Sequence, residues 1–236
     1  MLGTVINVGS ILAGSCIGVS IGSRLSEGIR ETVLHGLGLL TFLVGMQMAL
    51  GTHNILVVLG AILIGGIAGE LLRIHDGLEW LGRLLQSKLS GGSSAGQTSR
   101  FGEGFVMASL VFCVGPMAIL GSIQDGLSGD YRLLAVKSVL DGFASVAFSA
   151  SLGWGVAFSV VSILLYQGGI TLFASQFSKL LSDPMIVEMT ATGGLIILGI
   201  ALRLLSLKEI RLANFLPALA IAPIIVALTP LVKSLF

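Results

Sequence analysis

The sequence predicts an all-α fold: a polytopic membrane helix bundle of about eight transmembrane helices. Three observations predict it. Apolar residues make up 54% of the 236-residue chain and charged residues only 11%, against about 25% charged in soluble domains; the mean hydropathy is +1.01. A soluble core of this size cannot bury so much apolar surface, so lipid must solvate much of it. The apolar residues gather into runs of about 20, the length a helix needs to cross a hydrocarbon core of about 30 Å, without the strict alternation of a lipid-facing barrel strand. Glycine is abundant at 33 residues while aromatics are only 6%, a composition that lets membrane helices approach one another closely.

The eight segments lie near 2–23, 32–51, 54–72, 104–124, 132–153, 154–176, 189–206 and 213–235. The tight joins at Gly51–His53 and near Gly153–Trp154 make antiparallel hairpins of the segments they connect. The last segment carries Pro217, Pro223 and Pro230, so a bend or a partly re-entrant path is expected there. No cleavable leader is expected, because the first apolar run has no basic residues before it and lasts until Arg24. Cys16 and Cys113 both sit inside apolar runs and suggest no disulfide.

Lysine and arginine set the orientation. The first connection has Arg24 and Arg30, the third Arg73, Arg83, Lys88 and Arg100, and the seventh Arg203, Lys208 and Arg211. The second has none, and the later even-numbered ones only Arg132 and Lys179. Odd connections are therefore expected in the cytoplasm and both termini on the outer face. Lys233 votes against this, and a seven-helix chain would end inside.

The whole chain reads as one membrane domain in three stretches: 1–73 with three helices, 74–103 on the cytoplasmic side, and 104–236 with five helices. Ile74, Leu78, Leu81 and Leu85 share one face at helical spacing, which fits an interfacial helix over 74–89 or an extension of the third membrane helix. Residues 90–99, SGGSSAGQTS, read as a flexible linker. A weak echo joins Ser10-Ile11-Leu12 to Ser162-Ile163-Leu164. If the first three helices match the last three, the copies form an inverted repeat.

Small residues recur every four positions in two helices. Ser10, Gly14, Gly18 and Gly22 form one stripe, and Ala61, Gly65 and Gly69 another. Such stripes let backbones touch, either between helices of one chain or between subunits of a homo-oligomer.

The residues that point to function lie mostly between 105 and 169. Gly115-Pro116 falls at the middle of the fourth segment, where proline removes a donor and disfavours a helical predecessor, so a kink or break is expected at membrane depth. Broken helices expose carbonyls and half-helix ends that can bind ions or polar groups. In the fifth segment Lys137, Asp141, Ser145 and Ser149 are spaced by four and form one polar stripe. A charge at mid-membrane costs about 2.5–3.5 kcal/mol on insertion scales, so the stripe must face protein or water. Lys137 can pair with Asp141 along the helix or snorkel to its outer end, whereas Asp141 lies deeper. Gln167-Gly168-Gly169 lies near the centre of the sixth segment, where paired glycines weaken the helix and allow backbone approach. Asn7 and Gln47, taken singly, read as interhelical hydrogen bonds, Glu70 and Arg203 as helix-end pairs, and DGLSGD at 125–130 as a turn.

No phosphate-binding GxxxxGK[ST], HExxH or GxSxG pattern occurs, so neither ATP drive nor an intramembrane hydrolase is expected, and no cofactor or metal is implied. The near-neutral net charge of +1 argues against nucleic acid as a partner. VFCVGPMAILGSIQDGLSGD at 111–130, KSVLDGFASVAFSASLGWGVAFS at 137–159 and YQGGITL at 166–172 resemble the YqgA/YdfK-like family of uncharacterised bacterial inner-membrane proteins, loosely described as transporters. GTVINVGSILAG and GAILIGGIAGELLRI extend the resemblance over nearly the whole chain. It implies a bacterial multi-pass protein of the inner membrane and brings no substrate or site. The residues themselves favour a secondary transporter or channel for a small ion or polar solute. The alternative is a membrane scaffold or subunit whose buried polar residues only hold helices together.

Overall fold

The computed structural model describes residues 1–77, 80 and 95–233, and among them every regular element is helical. The helices are α1 (Leu2–Gly22), α2 (Glu27–Ala49), α3 (Ile55–Leu71), α4 (Ala95–Cys113), α5 (Pro116–Ser128), α6 (Arg132–Leu152), α7 (Gly155–Leu172), α8 (Ala174–Leu180), α9 (Asp183–Leu204) and α10 (Leu216–Lys233), with a 3-10 turn at Leu212–Phe215. Each of the eight apolar runs contains a helix. By length and apolarity α1, α2, α6, α7 and α9 can each cross a bilayer, and the bent pair α4–α5 makes a sixth span if taken as one. The 17-residue α3 reaches only about 26 Å, so length alone does not give eight spans.

Most of the stretch expected on the cytoplasmic side, including the expected interfacial helix beyond Gly77 except Trp80 and the first half of the Gly/Ser linker, lies outside the described residues. The second half corrects the expectation, because residues 95–99 already belong to α4. Once a helix is nucleated by an apolar segment, adding Ala95, Gln97 or Ser99 costs little per residue. No break interrupts the last segment: α10 is continuous through Pro223 and Pro230, against the expected re-entrant path. Pro217 falls in its first turn, where a missing N–H removes no helical bond, and isolated prolines are tolerated inside membrane helices.

The chain divides into two compact units. The first takes in Met1–Leu37 and Leu78–Phe177. Its central contact is α1 against α6. A Cβ on Gly14 would strike the Gly142 carbonyl, one on Gly18 the Val146 carbonyl, and one on Gly22 the Ala150 carbonyl. Both residue series rise together, so the two helices run parallel with their backbones touching. The pair α4–α5 follows α7 from end to end. Phe101 packs on Phe158 with ring centroids 5.2 Å apart, Ser109 and Ser162 share a hydrogen bond of 2.9 Å, and Gly126 lies against the Thr171 carbonyl. Gly153, at φ 79°, makes the left-handed turn between α6 and α7, a conformation that side chains with a Cβ rarely adopt.

The second unit takes in Gly38–Gly77 and Ser178–Phe236. Here the other small-residue stripe works in the same way. A Cβ on Gly65 would come 2.5 Å from Ala218 Cα, and one on Gly69 would strike the Asn214 carbonyl. Ala61, Ala218 and Ala222 fill the centre of this contact. The end of α2 meets α9 equally closely, with a Cβ on Gly45 falling 2.8 Å from Leu198 N. Glu188, buried in α9, holds the turn before α3. Its Oε1 accepts the His53 and Asn54 amides at 2.8 and 2.9 Å, and its Oε2 accepts the Thr52 hydroxyl at 2.6 Å. At the far end of α3, Glu70 accepts from Arg211 at 3.1 Å and from Asn214 at 2.5 Å. Replacing Glu188 by Ala strips two amides and a hydroxyl of their acceptor, so thermal unfolding in detergent is expected to show a loss of about 1–3 kcal/mol. An unchanged melting curve would deny the capping role.

Large apolar residues point outward along the helices, among them Val5, Leu43, Leu63, Ile67, Phe143 and Leu165. With polar side chains inside and apolar ones outside, the surface suits lipid rather than water.

Candidate functional site

Asp141 stands at the middle of α6, one turn beyond Lys137. Four-residue spacing puts both on the face that packs against α1. The Lys137 ammonium contacts Asp141 Oδ2 directly. Lys137 is only 6% exposed and Asp141 8%, so Lys137 does not snorkel. The same Oδ2 accepts from Asn7 Nδ2 on α1 at 3.0 Å. Asn7 Nδ2 also donates to Gln167 Oε1 on α7 at 2.9 Å. A continuous polar chain, Lys137–Asp141–Asn7–Gln167, thus links three helices inside the first unit.

The remainder of the α6 stripe lies against α1. Ser145 gives its hydroxyl to the Gly142 carbonyl at 2.7 Å and sits under Gly14. Ser149 lies against Gly18, and its buried hydroxyl has no hydrogen-bond partner among the described residues.

The break expected at Gly115-Pro116 is present. The axes of α4 and α5 differ by 63°. Gly115 takes φ 154°, which disfavours any residue with a Cβ, and Pro116 opens α5. Carbonyls at the end of α4 lose their helical donors here. The donor for Phe112 would be Pro116, which has no N–H, and the Ala118 amide that would serve Val114 goes to Gly115 instead, at 3.2 Å. On the two sides of the break, Phe112 meets Phe148 of α6 with ring centroids 6.2 Å apart, and Gly121 lies against Leu134 of α6, so Lys137 and Asp141 fall between these contacts. The break therefore borders the polar chain. The Gln167-Gly168-Gly169 segment, by contrast, does not weaken α7, which runs unbroken from Gly155 to Leu172. Gly168 packs 3.5 Å from the Met1 side chain when a Cβ is placed on it, and Gly169 faces open space.

One residue read as part of a turn belongs to the site's surroundings. Asp125 is within α5, 4% exposed, and its Oδ2 accepts the Gly3 amide at 3.0 Å. Its other oxygen lies 3.0 Å from the Met1 amino nitrogen. The glycines that suggest a turn mislead here. Gly126 is a contact residue against Thr171, where no side chain fits, and the helix ends only at Gly129. Thr4, one turn before Asn7 on α1, and Ser122, one turn before Asp125 on α5, are both completely buried. Single hydroxyls in apolar runs give no sequence signal, whereas Asn7 is visible as an intramembrane amide without a readable partner.

The sequence matches a family described as "Protein of unknown function (DUF554)" over residues 2–227. It is 30% identical over 232 residues to the "Uncharacterized membrane protein YdfK" of Bacillus subtilis, covering 96% of each chain. It is 28% identical over 222 residues to the "Uncharacterized protein YqgA" of Escherichia coli, covering 94% of each. No solved structure matches.

Proposed function

The chain belongs to the DUF554 family of membrane proteins, and from that premise, which carries no activity with it, we propose that it is a secondary transporter or channel for a small ion or polar solute in the bacterial inner membrane. The observation that carries the reading is the polar chain Lys137–Asp141–Asn7–Gln167, buried between three helices beside a broken one. Ionisable residues at membrane depth are expensive and by default mark a pathway. Broken helices at the same depth are the usual companions of such sites. The reading assigns the protein no catalytic reaction.

Both termini are placed on the outer face, on the Lys/Arg asymmetry of the connections. The parallel course of α1 and α6 supports the first five of the eight spans. The chain must cross an odd number of times between them, and α2, α3 and the bent pair supply three crossings. A reporter fused after Phe236 is expected to be active outside.

The direct test is flux into proteoliposomes. Asp141→Asn keeps nearly the same shape and removes the charge, so folded protein with flux abolished is the expected result. Asp141→Glu should retain part of it. Normal flux by Asp141→Asn would remove the residue from the mechanism and favour the scaffold reading, which the direct Lys137–Asp141 contact also accommodates.

A further inference from the structure

The first unit holds two sets of helices, each closed by glycines set against backbone. In one set α1 lies on α6 so closely that a Cβ on Gly14, Gly18 or Gly22 would strike a carbonyl of α6. In the other, a Cβ on Gly155 of α7 would strike the Phe101 carbonyl of α4, and one on Gly126 of α5 the Thr171 carbonyl of α7. Ser109 and Ser162 add a hydrogen bond of 2.9 Å between α4 and α7. Carbonyls held in helices cannot turn aside as side chains can, so each set is stiff.

Across the seams between the sets, side chains meet first. A Cβ on Gly121 meets Leu134 Cδ2 at 2.9 Å, one on Gly104 meets Leu152 Cβ at 3.2 Å, and one on Gly168 meets the end of the Met1 side chain at 3.5 Å. Two short connections join the sets, residues 129–131 between α5 and α6 and residues 153–154 between α6 and α7. Each begins on a glycine in the left-handed region, Gly129 at φ 72° and Gly153 at φ 79°. Glycines at the ends of elements can absorb a change of backbone angle. These two stand at opposite ends of α6, so a line through them runs along that helix. Rotation about it keeps α6 beside α5 and α7 and parts α1 from both.

Two polar bonds close the side that would part. Asn7 Nδ2 donates to Gln167 Oε1 at 2.9 Å, and the Gly3 amide donates to Asp125 Oδ2 at 3.0 Å. The buried polar chain divides at the same place: Lys137, Asp141 and Asn7 belong to α1 and α6, and Gln167 alone to α7. We propose that α1 and α6 swing as one body about Gly129 and Gly153, that the Asn7–Gln167 bond latches this gate, and that its opening uncovers Asp141 to the aqueous phase. The gate rests on the transport reading for its purpose and not for its geometry.

The test is thiol labelling of the full chain in liposomes by a small water-soluble maleimide, in a background of Cys16→Ser and Cys113→Ala. Gly168→Cys reports the seam, because a Cβ there makes ordinary contact with Met1 and leaves Asn7 and Gln167 in place. Ser145→Cys reports the contact of α1 with α6, where Ser145 is 0% exposed beneath Gly14. If Gly168→Cys gives no monodisperse protein, Thr4→Cys, three residues before Asn7 and on its face of α1, replaces it. The expected result is labelling of the seam and none at Ser145→Cys. Adding Gln167→Leu cuts the latch and should speed seam labelling about tenfold, the shift for one lost hydrogen bond at roughly 1.4 kcal/mol per decade. A seam as unreactive as Ser145→Cys would overturn the gate, as would equal labelling of both positions. A rate indifferent to Gln167→Leu would overturn the latch. Flux measured on the same liposomes separates the two readings: flux without seam labelling sinks the gate alone, and seam labelling without flux of any solute sinks the transport reading alone.

Discussion

Lys137→Met is expected to destabilise the protein by about 3–5 kcal/mol, while the double variant Lys137→Met/Asp141→Leu is expected to lose far less or nothing. The reason is asymmetry. Lys137 and Asp141 neutralise each other in a place where neither is solvated. Removing the cation alone strands a carboxylate left with one other donor among the described residues, Asn7. Removing both charges removes the desolvation penalty along with the attraction, and buried pairs replaced by apolar residues are often neutral or better. Thermal unfolding of purified protein in detergent measures both variants. Asp141→Asn should fall between them, because the amide oxygen can still accept from Lys137. If the double variant proves as unstable as the single one, the pair supports the fold through contacts other than its charges. Flux measured on the same samples then separates a mechanistic pair from a structural one.

The glycine stripe of α1 should be equally intolerant. Gly18→Val is expected to cost at least about 3 kcal/mol and to show as lost monodisperse protein. Overpacking costs typically 1–3 kcal/mol where side chains can move aside, and here the obstacles are the Val146 carbonyl and Ser149 Cβ, 2.9 Å from the added carbon. Gly9 is on the same helix with nothing within 4 Å of an added Cβ. Gly9→Ala should therefore be neutral, or stabilising by the about 0.5–1 kcal/mol that separates Gly from Ala in a helix. Equal behaviour of the two variants would mean that α1 does not pack on α6 through this face.

The sequence makes the helices legible because each is a long apolar run, and it makes the stripes legible because small residues repeat at the helical period. Gly14, Gly18 and Gly22 show in advance that α1 has a close partner, and Lys137 and Asp141 show that α6 turns one face inward. Neither shows that the two helices are partners, since nothing local records a contact between distant stretches. For the same reason Asn7 is visible and its role is not. Gly115-Pro116 is legible because its chemistry is local: proline lacks a donor wherever it occurs. Asp125 defeats the reading because Gly126, Ser128 and Gly129 resemble a turn, and only the presence of α7 explains why Gly126 must be small inside a helix. Thr4 and Ser122 carry no signal at all, since a lone hydroxyl in a membrane helix usually bonds to its own backbone.

The pairing of α1 with α6 also sets a timetable for synthesis. Asn7 waits for Asp141 across 134 residues and for Gln167 across 160. At translation rates of about 5–20 residues per second, the first of these partners emerges about 7–27 s after Asn7 itself. Throughout that interval α1 is already made, with a polar amide and a groove of bare backbone that nothing in the nascent chain yet covers. Other membrane chains carrying small-residue stripes are potential wrong partners during this time. A ribosome-stalled chain ending before Arg132 should therefore be the species most readily trapped with foreign helices, and one extended past Leu172 the first to resist such trapping.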